Sequence, residues 1–252
     1  MTTPTDHSRP FAYRFVVAVL RPLLMVLTHR RWSGSEHLPP EGGFVVVTNH
    51  YSYLDPFVFG HFLVDHGYSP RYLGKVEVFR IPVVGWIVRK ADQIPVHRES
   101  GRAADAYRSA VAAVRAGKTV AIYPEGTLTR DPELWPMRGK TGAARVALET
   151  RCPVVPIATW GAHEILPPYS RSVRLFPRRT MRVQAGPPVR LDDLHDLPLS
   201  AEVLLEATTR IMAALVTELE ALRDEPAPVD RFDPRAHGVT PIGKPRPLEE
   251  AS

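Results

Sequence analysis

A mixed α/β fold, a central sheet flanked by helices, is what this sequence predicts, and three observations predict it. Short β-branched runs recur along the chain, helical stretches alternate with several of them, and an amphipathic segment with a membrane-associating pattern stands at the N-terminus. At 252 residues, with 44% hydrophobic and 23% charged content, the chain can bury a full core and is neither a disordered nor a polytopic membrane protein.

Taken in order, the first element is the run FAYRFVVAVLRPLLMVL, interrupted by Arg14 and Arg21. These lie seven residues apart, on one helical face. With two arginines and Pro22 the run is too short and too charged to span a bilayer comfortably, and it lacks a secretory cleavage site. It reads as an interfacial helix whose arginines reach lipid phosphates, with an ordinary core-packed amphipathic helix as the alternative. A polar link through Pro39 and Pro40 leads to the run FVVVT, a buried strand. Further strands are expected at 71–74, 93–96, 119–123, 154–159 and 181–185, and helices at 102–115, 141–150 and 201–222, with Gly117 stopping the first. From Asp224 the chain is rich in proline and charge and reads as a mobile tail. The expected division is therefore an N-terminal helix and link (1–43), a main domain (44–223) and a tail (224–252).

The net charge of +5 comes mostly from arginine, which suits phosphorylated or anionic partners. Zinc-finger spacing, aromatic RNA-binding runs and long basic helices are lacking, so nucleic acid is not an expected partner. One cysteine, Cys152, makes no internal disulfide and suggests no metal site. The arginines at 171, 174, 178, 179 and 182 form a basic concentration suited to lipid head groups or coenzyme A phosphates, or else a merely solvated surface.

The chemistry begins where the FVVVT strand ends, in Asn49-His50-Tyr51-Ser52-Tyr53-Leu54-Asp55-Pro56. Residues five apart point away from each other on a continuous helix, so His50 and Asp55 meet only if a turn intervenes. Pro56 favours one, with Asp55 as N-cap of the helix that follows. The Asp55 carboxylate can then fix one ring nitrogen of His50, leaving the other to take a proton from a substrate hydroxyl. Alternatively Asp55 is only a cap and His50 only a loop residue. A second strand runs into Tyr123-Pro124-Glu125-Gly126-Thr127-Leu128-Thr129-Arg130, a polar loop able to offer N–H groups, hydroxyls and a guanidinium to phosphate, or simply a turn. Arg138-Gly139-Lys140-Thr141 imitates the end of a nucleotide-binding P-loop, but Leu134 stands where that motif requires glycine. Neither a Gly-x-Ser-x-Gly elbow nor His-Glu-x-x-His occurs.

In combination these segments resemble the glycerolipid acyltransferase family, typified by 1-acylglycerol-3-phosphate acyltransferases. Asn49-His50 through Asp55 is similar to its first motif, whose histidine is the general base and whose aspartate orients it. Lys75-Val76-Glu77, Pro82, Gly85 and Arg98 resemble the second block, whose arginine binds acceptor phosphate. Tyr123 to Thr127 resembles the third, which holds glycerol phosphate, and Val155-Pro156-Ile157 the fourth, on the acyl-donor side. The family's third motif usually continues Arg-Ser, whereas Leu128-Thr129 stand here, which puts lysophosphatidate as acceptor in doubt. His97 replaces the aspartate often found before the second-block arginine.

The resemblance implies transfer of a fatty acyl group from acyl-CoA or acyl-ACP to a lysophosphatidate or related lysophospholipid hydroxyl. His50 and Asp55 would be catalytic, with Asn49, Lys75, Arg98, Glu125, Gly126, Thr127 and Arg130 binding substrate. Neither metal nor bound cofactor is implied. The expected setting is the cytoplasmic face of the cell membrane, with an anionic surface and acyl carrier protein as partners. Rival readings are a different lysolipid or glycolipid acceptor, a lipid thioesterase or hydrolase, and a non-catalytic membrane-binding protein.

Overall fold

The computed structural model describes residues 10–96, 103–240 and 245. Seven strands form one sheet: β1 (Thr28–Ser33), β2 (Phe44–Thr48), β3 (Arg71–Lys75), β4 (Ile94–Val96), β5 (Thr119–Ile122), β6 (Val154–Trp160) and β7 (Arg179–Ala185). Their order is β1-β7-β6-β2-β5-β3-β4. All neighbours pair parallel except β6 with β7, so the sheet is mixed, as expected. The helices are α1 (Phe11–Leu27), α2 (Asp55–Asp65), α3 (Val76–Arg80), α4 (Val84–Lys90), α5 (Ala103–Arg115), α6 (Gly142–Thr150), α7 (Ala162–Ile165) and α8 (Ala201–Arg223).

All five residues of β2 are buried. Its alternate side chains serve opposite faces, which is why the strand reads as a continuous apolar run. Val45 and Val47 enter a core built with Ala110, Val114, Ala147 and Ile211 from α5, α6 and α8. Phe44 and Val46 enter a second core with Phe59, Phe62 and Leu63 of α2. The strand β1 is absent from the sequence reading. Only its first residue, Thr28, is buried, so no apolar alternation marks THRRWS, and pairing with β7 alone makes it a strand. Beyond α8, the Ala227 N–H donates to Glu220 Oε1 at 2.8 Å.

The helix α1 has its amphipathicity turned inside out. Phe11, Phe15, Val19, Leu23 and Val26 follow helical spacing and are all exposed, while Ala12 and Tyr13 are its buried residues. Arg21, expected to reach lipid phosphate together with Arg14, has its Nε 2.8 Å from Asp65 Oδ1 at the end of α2. Arg30 and the Trp32 indole N–H share the other oxygen of the same carboxylate. No helix among the described residues is long and apolar enough to cross a membrane.

Candidate active site

Because β2, β5 and β3 run parallel, their C-terminal ends share one edge of the sheet, the edge where open α/β sheets place ligands. The His50 loop follows β2 and the Glu125 loop follows β5. Asn49 is the hinge of the first: its Nδ2 donates to Thr159 O at 3.0 Å, and its Oδ1 accepts from Thr159 N at 2.9 Å. Both ends of this buried amide are thereby engaged by the β6 backbone.

The turn required between His50 and Asp55 is present. Asp55 Oδ2 accepts the Tyr51 and Ser52 backbone N–H groups at 2.7 and 2.8 Å, and His50 Nδ1 lies 3.0 Å from the same oxygen. The carboxylate is fully buried, whereas the imidazole side chain keeps 17% of its surface. Asp55 is not the helix cap expected of it. That position is Leu54, with Pro56 in the first turn, and the carboxylate points back into its own loop, where three donors converge on one oxygen. An acceptor at Nδ1 places the histidine proton there and leaves Nε2 with its lone pair. The imidazole stacks on Tyr123, ring centroids 4.1 Å apart and planes inclined by 27°, which fixes its tilt. Burial pushes the Asp55 carboxyl up from its ordinary value, and the His50 ring and the two N–H groups pull it back.

The second loop is tied to the first by one backbone bond, Thr129 N–H to His50 O at 2.7 Å. Glu125 is buried, and Met137 N–H donates to its Oε2 at 2.9 Å. Burial lifts this carboxyl to about 8, against the pull of the Met137 and His50 backbone, with the Asp55 and Asp131 charges adding to the rise. It is therefore mostly a neutral acid at pH 7. Gly126 is favoured by its φ of +69°, and the flexible Lys140 lies over it, its Nζ 2.8 Å from where a Cβ would stand. Thr127 is buried beside it. The Arg130 guanidinium carbon lies 5.8 Å from the Tyr169 ring centre, and Tyr169 donates its hydroxyl to Leu128 O at 2.7 Å.

Other expected residues fall elsewhere. Lys75 ends β3, half exposed, with its Nζ 3.6 Å from Glu77 Oε2. Arg98 and His97 lie outside the described residues. Leu128 and Thr129, which stand where the family motif has Arg-Ser, are both buried, and the Thr129 hydroxyl donates to Trp135 O, so neither presents a group to a ligand. The arginine concentration in 171–182 is not one anion patch. Arg178 donates to Met25 O and Thr28 O, Arg179 pairs with Glu164, and Arg182 donates to Leu222 O. Sequence reasoning missed Lys140 above Gly126, because the false P-loop was its only visible context. It also missed Arg231, half-buried, whose guanidinium feels the charges of Arg138 and Glu125. A position about a hundred residues from the loop leaves no local signal.

Two strand-terminal loops, one carrying His-Asp and the other Glu-Gly-Thr, are thus brought to one sheet edge in a chain whose residues 29–160 match the family model described as Acyltransferase. The chain belongs to the Acyltransferase family. That match covers β1 through β6 and therefore both loops. A 1-acyl-sn-glycerol-3-phosphate acyltransferase of Bacillus subtilis is 27% identical over 84% of this chain and 99% of its own length. The chloroplastic enzyme BAT2 of Brassica napus, described by the same activity, is 34% identical over 56% of this chain, and the match spans only 40% of that longer protein. The crystal structure of the Thermotoga maritima acyltransferase PlsC shares the fold, with a TM-score of 0.67, 22% identity, and coverage of 88% of this chain and 84% of that one. The family match begins at residue 29, within β1 at the sheet edge.

Proposed function

We propose that the chain transfers a fatty acyl group from a thioester, acyl-CoA or acyl-ACP, to the hydroxyl of lysophosphatidate or a related lysophospholipid. The single observation that carries this is the His50 Nδ1 to Asp55 Oδ2 contact of 3.0 Å, on a ring stacked over Tyr123 beside the Glu125 loop. The relatives named for this activity support the same reading.

In this mechanism the acceptor oxygen attacks the thioester carbonyl carbon while His50 Nε2 takes its proton. The tetrahedral intermediate then collapses, the C–S bond breaks, and the imidazolium returns the proton to the departing thiolate. Asp55 offsets the imidazolium charge throughout. Such chemistry needs no nucleophile from the protein. Glu125, neutral at pH 7, donates a hydrogen bond to an acceptor oxygen, and Gly126, Thr127 and Arg130 shape the acceptor's seat. Lys75 and Arg98 from the second block would meet the acceptor phosphate. Asn49 acts by holding the loop, since its amide is already committed to Thr159.

The exposed face of α1 would lie on the membrane, its five apolar side chains facing lipid and Arg14 at the head-group level. This supports attachment to one face of a membrane, the cytoplasmic one if the thioesters are cytosolic. The test is incubation of the purified chain with labelled acyl-CoA, or acyl-ACP, and a panel of lysolipids. Labelled phosphatidate-type product is expected. Labelled free fatty acid whether or not acceptor is present would replace the reading with a hydrolase, and no turnover with any donor would overturn it.

A further inference from the structure

The strand β3 hands the chain to α3 and α4, joined through Ile81, Pro82 and Val83. The Val84 N–H donates to Pro82 O at 2.7 Å, closing a three-residue turn with Val83 at its centre. Val83 has φ 64° and ψ −58°, a conformation that a β-branched side chain rarely adopts. Glycine would adopt it freely, yet glycine stands two residues later, where a Cβ would lie 2.1 Å from Phe79 O. The turn therefore holds an isopropyl group outward at a conformational cost. Val83 is 71% exposed, so packing among the described residues does little to offset that cost. Strain of this kind persists at functional positions.

Around this tip Val78, Ile81, Val84 and Trp86 are also exposed, an apolar patch within nine residues of chain. Arg80, Arg89 and Lys90, all exposed, surround it, with Glu77 the one acid between residues 76 and 90. The helix α4 lies against α1, so the patch continues the apolar stripe of Phe11, Phe15 and Val19. Since β3 is parallel to β5 and β5 to β2, the turn leaves the same sheet edge that carries His50 and Glu125.

We infer that the Ile81–Trp86 turn is a wedge that enters the surface of an anionic bilayer, with Val83 and Trp86 among the acyl chains and Arg80 and Lys90 at the phosphates. An acidic protein partner would match the cations, but it would leave a tip of valine and tryptophan without purpose. A bilayer matches both, and it accounts for the continuity with α1. Seated this way, the wedge holds the mouth beside His50 against the phase that stores acyl chains. The last step rests on the acyl-transfer reading; the binding itself does not.

The full chain is tested on vesicles of phosphatidylcholine and phosphatidylglycerol, with and without brominated acyl chains. Brominated lipid is expected to quench the fluorescence that Trp86→Phe removes. Val83→Asp should weaken co-sedimentation by about tenfold or more, because an apolar contact is withdrawn and a like charge is added at the anionic surface. Val83→Gly should also weaken it while leaving the melting temperature unchanged or raised, which separates lost insertion from lost folding. His50→Ala should bind as the wild type does while losing transfer; a wild-type chain that binds through Val83 yet transfers no acyl group to any lysolipid would refute the acyl-transfer reading and spare the wedge. Unquenched Trp86, wild-type binding by both Val83 variants, or a patch occupied by a second copy of the chain in solution would overturn the proposal.

Discussion

The two loops of the site each bury a carboxyl group, and they treat it in opposite ways. After β2, Asp55 gathers a histidine and two backbone N–H groups onto one oxygen, within a turn closed by its own residues. After β5, Glu125 takes its donors from other segments, the Met137 N–H at 2.9 Å from twelve residues away and the His50 backbone. Burial raises both carboxyls: the rise of Asp55 is opposed by its histidine and two N–H groups, whereas Glu125 is lifted to about 8. Burial alone does not set the protonation state of a site carboxyl; the number of donors that the local chain can bend toward it does.

The largest effect should come from breaking the first loop's charge. In Asp55→Asn the amide oxygen can take the Oδ2 position and keep both N–H bonds, so the turn survives while the counter-charge for the imidazolium is lost. A fall in acyl-transfer rate of about 10²- to 10⁴-fold is expected with little change in melting temperature, and a similar fall for His50→Ala. Turnover at the wild-type rate in Asp55→Asn would reduce Asp55 to a loop tie.

Next in size is the second loop's response to pH. Below its ordinary value of 4.5, Glu125 is protonated in both folded and unfolded chains. As pH rises toward 8 the unfolded chain ionises and the folded one does not, so the native state binds the extra proton and stability is progressively lost. Glu125→Gln removes this penalty, and its amide oxygen can still accept from Met137. Its unfolding free energy by chemical denaturation should gain on the wild type between pH 5 and pH 9, on the order of a few kcal/mol by the upper end. An equal difference at both pH values would show that Glu125 is ionised in the fold.

Smaller effects should separate the anchors of the two loops. Asn49→Ala leaves the Thr159 N–H and C=O without their side-chain partner inside the protein, at about 2–4 kcal/mol in chemical denaturation, and lowers activity by releasing His50. Tyr169→Phe removes one donor to Leu128 O and should cost about 0.5–1.5 kcal/mol, with a weaker influence on rate. If the two variants cost the same, the first loop is not the more tightly anchored of the pair.

Local pattern was enough wherever a few consecutive residues settle the matter. The run FVVVT is a strand buried on both faces because no polar residue interrupts it. Ala201–Arg223 is a helix because its apolar positions recur with helical period, and it buries Ile211, Leu215 and Leu219 accordingly. The turn between His50 and Asp55 was demanded by their spacing and is there. By contrast α1 carries the same kind of periodicity and faces its stripe outward. Period alone says that a helix has two faces, and the partner available to each decides which one turns in. On α1, Arg21 is paired with Asp65 of α2 while the apolar stripe stays exposed.

By itself, then, the sequence determined the strands with no polar interruption, the long helices, and the residues whose chemistry lies within a few positions of one another. These depend on local sterics and hydrophobic period, which a short window contains. Only the tertiary structure decided that β1 joins the sheet, that Lys140 covers Gly126, that Asn49 spends its amide on Thr159, and that Glu125 is neutral. Each of those depends on which distant group arrives and how much water it displaces, and free energies of desolvation and pairing belong to the assembled fold and not to any segment of it.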